Sequence, residues 1–400
     1  MSQSCLTAIR CFDHLPDRAM SEALLHEIAT TQVTPQSRRV DKLLGLYGAG
    51  DMGRFARKYL ERIGIPIAFV VDRDAKQLAD SQAWKDLILL RPQDVSEELK
   101  RDSLLAVSVA TVPYALLKAD LVRNGWSDVV PFYDIAEAYR DLHPLSNGWI
   151  APPFSTSDVE GIITVLHGWE DDISRAHHLQ FIAWRRLRSE WHFAGAPVTI
   201  YDRYFIPEIH RLLMDTESFA DIGAYNGSVI MRFLTKVAAI CGPIWAVEPD
   251  PDNLAMLKET LARLPQGVHV KVIPAIVAKK AVGNACFAQG LDYASQLTDL
   301  GTTRLQTSTI DSLEISPSFI KLHLEGGELS ALEGAVRTLE RYRPILAVTS
   351  YHNLLGLWRL PDWLYNTLLN YRFLMRLHSW VGTGAVIYGI PEERMECKNL

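Results

Sequence analysis

Two stretches share one pattern, a short apolar run, a glycine-rich turn and then helical apolar spacing, and that pattern restricts the fold more than any other feature. The first is Leu43-Leu44-Gly45-Leu46-Tyr47 leading into Gly48-Ala49-Gly50-Asp51-Met52-Gly53. The second is Ser218-Phe219-Ala220-Asp221-Ile222 leading into Gly223-Ala224-Tyr225-Asn226-Gly227. Apolar runs of this length suit strands buried on both faces of a parallel sheet. Glycines in the turn let the backbone pass close to a ligand or to a neighbouring chain segment. The predicted fold class is α/β, with two Rossmann-like doubly wound domains. The C-terminal one has a mostly parallel sheet and a terminal antiparallel hairpin.

In the first unit the turn reads GxGxxG, residues 54–63 continue as a helix, and residues 65–71 form a second strand ending in Asp72. An acid there stands where the ribose hydroxyls of a dinucleotide would lie. Further strands fit residues 86–90, 104–109 and 128–132, and helices fit 95–101 and 114–125. The unit is short for a complete dehydrogenase, and no catalytic Tyr-x-x-x-Lys pair is expected in it. Gly48, Gly50, Gly53 and Asp72 are either a nucleotide or nucleotide-sugar site, or a turn that packs helix on strand. The unit resembles the Rossmann-like N-terminal units of sugar-modifying enzymes, a likeness confined to residues 43–74.

The expected divisions are an N-terminal helical extension (1–41), the Rossmann-like domain (42–150), a helical linker (151–216) and a second α/β domain (217–400). Within the extension, residues 19–28 read as an amphipathic helix covering an edge of the next domain. The linker opens at Pro152 and Pro153, and its residues 171–188 carry His177, His178, Arg185 and Arg186. That helix reads as a solvated face with an apolar stripe, the alternative being a substrate-binding face.

Hydrophobic residues make up 48% and charged residues 22%, the balance of a soluble globular protein. The net charge of −6 gives no basic footprint for nucleic acid. Cys5, Cys11, Cys241, Cys286 and Cys397 have no close pairing, so reduced thiols and a cytoplasmic location are expected, not a disulfide frame or metal site. Arg10, Asp13, Asp17 and Arg18 interrupt any signal-peptide core, and the longest uncharged run, residues 103–117, contains Pro113. No membrane span is expected.

The second unit carries the chemistry. Asp221 places a carboxylate at the C-terminal edge of a strand, where open α/β sheets bind ligands. A carboxylate suits ammonium or hydroxyl groups better than a bare phosphate, which favours S-adenosylmethionine over a nucleoside triphosphate. An ordinary turn with a capping acid is the alternative. The strand at residues 243–247 ends in Glu248-Pro249-Asp250, and Glu248 is placed to accept both ribose hydroxyls of an adenosine. Further strands fit 268–273, 319–325 and 345–350, an extra β segment fits 283–289, and 372–379 with 385–390 fit the closing hairpin.

Four pieces resemble the FkbM family of S-adenosylmethionine-dependent O-methyltransferases. They are the loop Asp221-Ile222-Gly223-Ala224-Tyr225-Asn226-Gly227, the acid motif Val247-Glu248-Pro249, Thr309-Ile310-Asp311-Ser312-Leu313, and Phe319-Ile320-Lys321-Leu322-His323-Leu324-Glu325-Gly326-Gly327-Glu328-Leu329. The resemblance implies cofactor contacts at Asp221, Gly223, Ala224, Tyr225, Asn226, Gly227, Glu248 and Asp250, with Asp221 toward the methionine end. His323 stands where the family has Asp, so no metal requirement is carried over. His352 and Glu325, then His323, are the candidate catalytic residues; His378 is a further candidate base, and Lys321 a partner for a carboxylate. The expected reaction is O-methylation of a sugar, polysaccharide unit or related polyol, the acceptor being a small molecule or glycan. The alternatives are a nucleotide-sugar oxidoreductase or epimerase using the Gly48 loop, and a non-catalytic ligand-binding protein.

Overall fold

The computed structural model describes residues 9–33, 35, 37–143, 145, 148–237 and 241–396. Cys5, Cys397 and parts of the expected N-terminal extension lie outside the described residues. The chain opens with strand β1 (Ile9–Phe12) and helix α1 (Arg18–Thr30), whose N-terminus is capped by the Asp17 carboxylate accepting from Met20 N at 2.7 Å. The first sheet contains β2 (Leu43–Tyr47), β3 (Phe69–Val71), β4 (Ile88–Leu90), β5 (Ser103–Val107) and β6 (Val129–Pro131) in the order β4-β3-β2-β5-β6, all parallel. Helix α2 (Asp51–Arg62) follows β2, and α3 (Tyr114–Arg123) follows β5.

The segment expected as a helical linker is core. Helix α4 (Thr156–Gly168) and helix α5 (Asp172–Leu187) lead to strand β7 (Glu190–Phe193), which pairs in parallel with β1. Helix α1 packs against α4 and α5, so the N-terminal extension covers these helices. Helix α5 is buried from Ser174 to Arg186, which removes both sequence readings of it, solvated face and substrate face. Its polar groups are satisfied from distant segments. The fully buried Arg185 guanidinium donates to Gly148 O at 2.8 Å and Gly382 O at 3.1 Å, and also to Tyr351 O. Burial pulls its pKa down to about 9.

The second sheet contains β8 (Phe219–Ile222), β9 (Ile244–Val247), β10 (Val270–Ile273), β11 (Phe319–Leu322), β12 (Ile345–Thr349), β13 (Tyr371–Leu377) and β14 (Ala385–Pro391). Their order is β10-β9-β8-β11-β12-β14-β13, parallel except for β14, which runs antiparallel to both its neighbours. This is the expected doubly wound sheet with a closing hairpin. The order reverses between β8 and β11, the switch point at which such sheets bind ligands. Residues 285–288 do form an extra strand, in a small antiparallel sheet beside the main one.

Helix α5 seals the open edge of β13. Met375 N donates to Ser174 Oγ at 2.9 Å and Leu377 N to His177 Nδ1 at 3.3 Å. An uncovered edge would offer these groups to another chain. On the other side, the Glu190 carboxylate accepts from Tyr114 N and Ala115 N at 2.7 and 2.9 Å and so caps α3 of the first sheet. One apolar cluster accordingly runs from Leu44 and Leu46 through Leu179 and Ile182 to Leu346 and Ile387. Among the described residues no helix is long and apolar enough to cross a membrane, and Cys11, Cys241 and Cys286 are free thiols.

His177 and His178 are buried and held neutral, each with a pKa lowered to about 4 by burial. His178 Nδ1 accepts from Trp169 Nε1 at 3.1 Å and its Nε2 donates to Leu357 O at 2.7 Å. The unfolded chain takes up these protons near pH 6.5 and the folded chain only near pH 4, so stability is full above 6.5 and falls as pH drops toward 4. At pH 5.5 each histidine is expected to have lost about 1.4 kcal/mol. Urea midpoints at pH 7.5 and 5.5 check this, and the drop should be smaller in His178→Gln.

Candidate functional site

The C-terminal ends of β8, β9 and β11 open onto a cavity of about 810 Å³, within the range of small-molecule sites. At its floor, Lys321 lines the cavity and faces Asp221 across the β11–β8 register, both residues being buried. Lys321 Nζ donates to Asp221 Oδ1 at 2.8 Å and to Gly223 O at 2.5 Å, which ties the first turn to the sheet. Gly223 has φ +77°, and a Cβ on it would lie 2.0 Å from His323 O, so only glycine fits. Gly227 caps helix α6 (Ser228–Leu234) with φ +79°.

Glu248 ends β9 on the cavity wall. Its Oε2 accepts from Tyr225 N at 2.9 Å, and its Oε1 from Asp250 N at 3.0 Å and Asn253 Nδ2 at 3.2 Å. Three of about four acceptor sites are taken, which leaves Oε2 one position for a ligand hydroxyl instead of the expected two. Asn253, on helix α7 (Pro251–Leu261), also lines the cavity, and its buried Oδ1 has no hydrogen-bond partner. Asp221 Oδ2 is likewise buried without a partner. The orphaned Asn253 Oδ1 and the acidic strand end at Glu248 fit a donor-rich ligand such as the ribose hydroxyls of S-adenosylmethionine. Ala275, Ile276, Phe287 and Leu297 give the same cavity an apolar wall.

Gly223, Ala224, Tyr225, Asn226 and Glu248 line the cavity, whereas Asp221 and Asp250 do not. Asp221 lies one layer below, paired with Lys321. Asp250 caps α7 through Asp252 N at 2.9 Å and holds the following loop through Gly290 N and Ser295 Oγ, both at 2.7 Å. Tyr225 has φ +50° and its hydroxyl donates to Asp292.

On the opposite wall stands a polar cluster. His323 Nδ1 is 2.8 Å from the Tyr204 hydroxyl and its Nε2 is 2.9 Å from Glu325 Oε1. His352 Nδ1 is 2.7 Å from Glu328 Oε1, and its Nε2 is 3.3 Å from Glu325 Oε1. Burial drives the His323 pKa down to about 3. For His352, burial also acts downward, but the carboxylates of Glu325 and Glu328 outweigh it and hold its pKa well above the ordinary value. His323 and Glu325 line the cavity; His352 does not. Of the two imidazoles only His323 reaches the cavity, and His352 braces Glu325 from behind. His378 is buried between Thr199 O and the Tyr388 hydroxyl, at 2.6 and 2.8 Å, and is structural. The Tyr388 hydroxyl in turn accepts from Tyr204 N at 3.0 Å and so fixes Tyr204.

The first sheet supplies a wall, not a second pocket. Asp51, Met52, Arg54, Phe55 and Lys58 of α2 line the shared cavity, while Gly48, Gly50, Gly53 and Asp72 do not. Asp72 instead ties two loops together, accepting from Ala49 N of the Gly48 turn at 2.7 Å and from Asp74 N at 2.9 Å. A Cβ on Gly53 would lie 2.1 Å from Gly48 O, so this glycine serves helix–strand packing. The nucleotide-site reading of this turn is thereby withdrawn in favour of the packing one. Tyr-x-x-x-Lys spacing, expected to be absent, does occur at Tyr114 and Lys118, but the Tyr114 hydroxyl is buried against Val129 O at 3.0 Å. The sequence also gave no warning of Arg203, Tyr204, Asn253, Tyr293 and Tyr351 as wall residues. Tyr351 was adjacent to a singled-out histidine, the only local signal among them.

Residues 221–373 match the family model described as the methyltransferase FkbM domain. The crystal structure of methyltransferase FkbM from Methylobacillus flagellatus KT is similar with a TM-score of 0.62 and 18% identity, covering 93% of this chain and 100% of that one. The likeness takes in both sheets. Precorrin-6y C5,15-methyltransferase from Geobacter metallireducens GS-15 (14% identity; 48% of this chain, 92% of that one) and the SAH-bound Podospora anserina methyltransferase PaMTH1 (14%; 70% and 97%) match with a TM-score of only 0.30. No curated protein matches significantly. Residues 221–373 thus match the FkbM methyltransferase domain, and the fold of the chain is similar to that of a methyltransferase FkbM.

Removing one partner of the Lys321–Asp221 pair leaves a buried, uncompensated charge. Lys321→Met is expected to cost about 3–5 kcal/mol in urea unfolding. Adding Asp221→Asn should recover part of that loss, and a double-mutant cycle measures the coupling.

Proposed function

We propose that this methyltransferase uses S-adenosylmethionine to methylate a hydroxyl of a sugar, polysaccharide unit or related polyol. One observation carries the reading: a single cavity joins Glu248, where a ribose can be held, to His323 and Tyr204, where a hydroxyl can be received. When bound, S-adenosylmethionine supplies an electrophilic methyl on a sulfonium. Glu248 and Asn253 would hold its ribose, and the backbone from Gly223 to Asn226 the middle of the molecule. The leaving group is already good, so this chain's task is to set the acceptor oxygen in line and to exclude water.

The acceptor side suits a polyol. Tyr133, Tyr204 and Tyr351 present rings and hydroxyls, Arg203 a guanidinium, and Ser379 and Thr383 further hydroxyls. Arg203 donates to the Tyr351 hydroxyl at 2.8 Å, which fixes both side chains at the wall. Rings of this kind stack on sugar faces, and the polar groups pair with several hydroxyls at once. The acceptor hydroxyl is set against His323 and Tyr204, and its proton leaves on that side. Met52 and Phe55 from the first sheet's helix add apolar surface to the cavity wall, which assigns that sheet a part in shaping the site. The acceptor is met as a small molecule or glycan, in the cytoplasm.

Calorimetric titration with S-adenosylmethionine tests the donor half. Wild-type protein should bind one equivalent, and Glu248→Ala should weaken binding roughly ten- to hundredfold while the chain stays folded, the loss of a charge-assisted hydrogen bond. Transfer of labelled methyl to a panel of sugars and polyols tests the acceptor half. Absence of binding by the wild-type protein would overturn the reading.

A further inference from the structure

The polar cluster at the acceptor wall has the form of a cation site. Among the described residues, His323, Glu325 and His352 present three ligand atoms lying within 4.8 Å of one another. The Nε2 atoms of both histidines converge on Glu325 Oε1, at 2.9 and 3.3 Å. Two ligands bound to one first-row divalent ion at ordinary bond lengths lie about 3.0–3.4 Å apart. Both pairs that include Glu325 are near that spacing, and the two histidine ligand atoms lie within 4.8 Å of each other.

Three further observations point the same way. First, each histidine has its Nδ1 occupied from behind, by the Tyr204 hydroxyl at 2.8 Å and by Glu328 Oε1 at 2.7 Å. Such partners fix the ring and leave Nε2 to bind metal. Second, His352 Nε2 makes no well-formed hydrogen bond although the residue is only 2% exposed. Third, Glu325 is held at φ +49°, a strained conformation for a residue with a Cβ, and this turns its carboxylate toward the two rings. His323 and Glu325 face the cavity, so the remaining coordination positions open toward the acceptor.

We propose that His323, Glu325 and His352 bind one first-row divalent cation of the zinc class, and that this cation takes the hydroxyl of the polyol acceptor as a further ligand. The proposal rests on the acceptor's place at this wall. Imidazole and carboxylate donors suit zinc or manganese better than an all-oxygen cation such as magnesium. Coordination makes the hydroxyl more acidic. Its proton passes to solvent water, the oxygen forms the new O–CH3 bond, and the S–CH3 bond breaks with its electron pair left on sulfur, giving a thioether. His323 supplies a nitrogen donor at this strand end.

Titration of the full chain with Co²⁺, followed by its visible absorption, tests this without any methyl transfer. The wild-type protein should bind one equivalent with d–d bands of a nitrogen–oxygen site. His323→Ala should lose that binding by a hundredfold or more, and Tyr204→Phe should weaken it roughly tenfold to a hundredfold. Glu248→Ala, which removes the donor contact, should leave Co²⁺ binding unchanged. Should His323→Ala misfold, Tyr204→Phe carries the comparison. Failure of the wild-type protein to bind Co²⁺ or Zn²⁺ while S-adenosylmethionine still binds would overturn the cation site alone. Equal Co²⁺ binding by wild type and His323→Ala would overturn it as well. Failure of both ligands to bind would overturn the methyltransferase reading together with it.

Discussion

The buried pairing of Lys321 with Asp221 is the constraint on which the rest of the site depends. It joins the two strands that flank the switch point, and the same ammonium reaches Gly223 O, so the sheet and the first turn are set by one group. With the turn fixed, the tight approach of Gly223 to His323 O brings the ligand loop and the acceptor cluster to opposite sides of one cavity. A buried pair of this kind adds little net stability, but either partner left alone is costly. It therefore acts as a lock on geometry more than as a source of stability.

The two sheets are held as one body by the segment between them. Ser174 and His177 close the edge of β13, and Glu190 caps α3 of the other sheet. The first sheet's helix α2 then lies against the loop that carries Asp292 and Tyr293. Phe55 stacks on Tyr293 at 4.5 Å between centroids, and Lys58 pairs with Asp292. Asp292 also receives the Tyr225 hydroxyl, so this wall is linked to the cofactor loop. A fold unit that resembles a nucleotide binder thus becomes one side of its neighbour's pocket.

Much of this was legible in the sequence because it is local. Strand–turn–helix order, Gly223 and Gly227 in left-handed turns, and Glu248 at a strand end all follow from neighbouring residues. Errors arose where a group's partner is far along the chain. Asp72 looked free for a ribose, but it ties its own loop to the Gly48 turn and stands outside the cavity. Helix α5 looked solvated because its arginines and histidines are paired with carbonyls and amides at 148, 196, 357, 377 and 382, which no periodicity reveals. His352 and His323 could not be told apart for the same reason: both end strands, and only packing decides which ring meets the cavity.

A crystal structure of the full chain with S-adenosylhomocysteine bears most directly on the central claim, that one cavity holds donor and acceptor between the two sheets. The account predicts density with the ribose at Glu248 and Asn253 and the thioether sulfur turned toward His323. Ligand bound instead at the Gly48–Gly53 turn, or with its ribose away from Glu248, would contradict it.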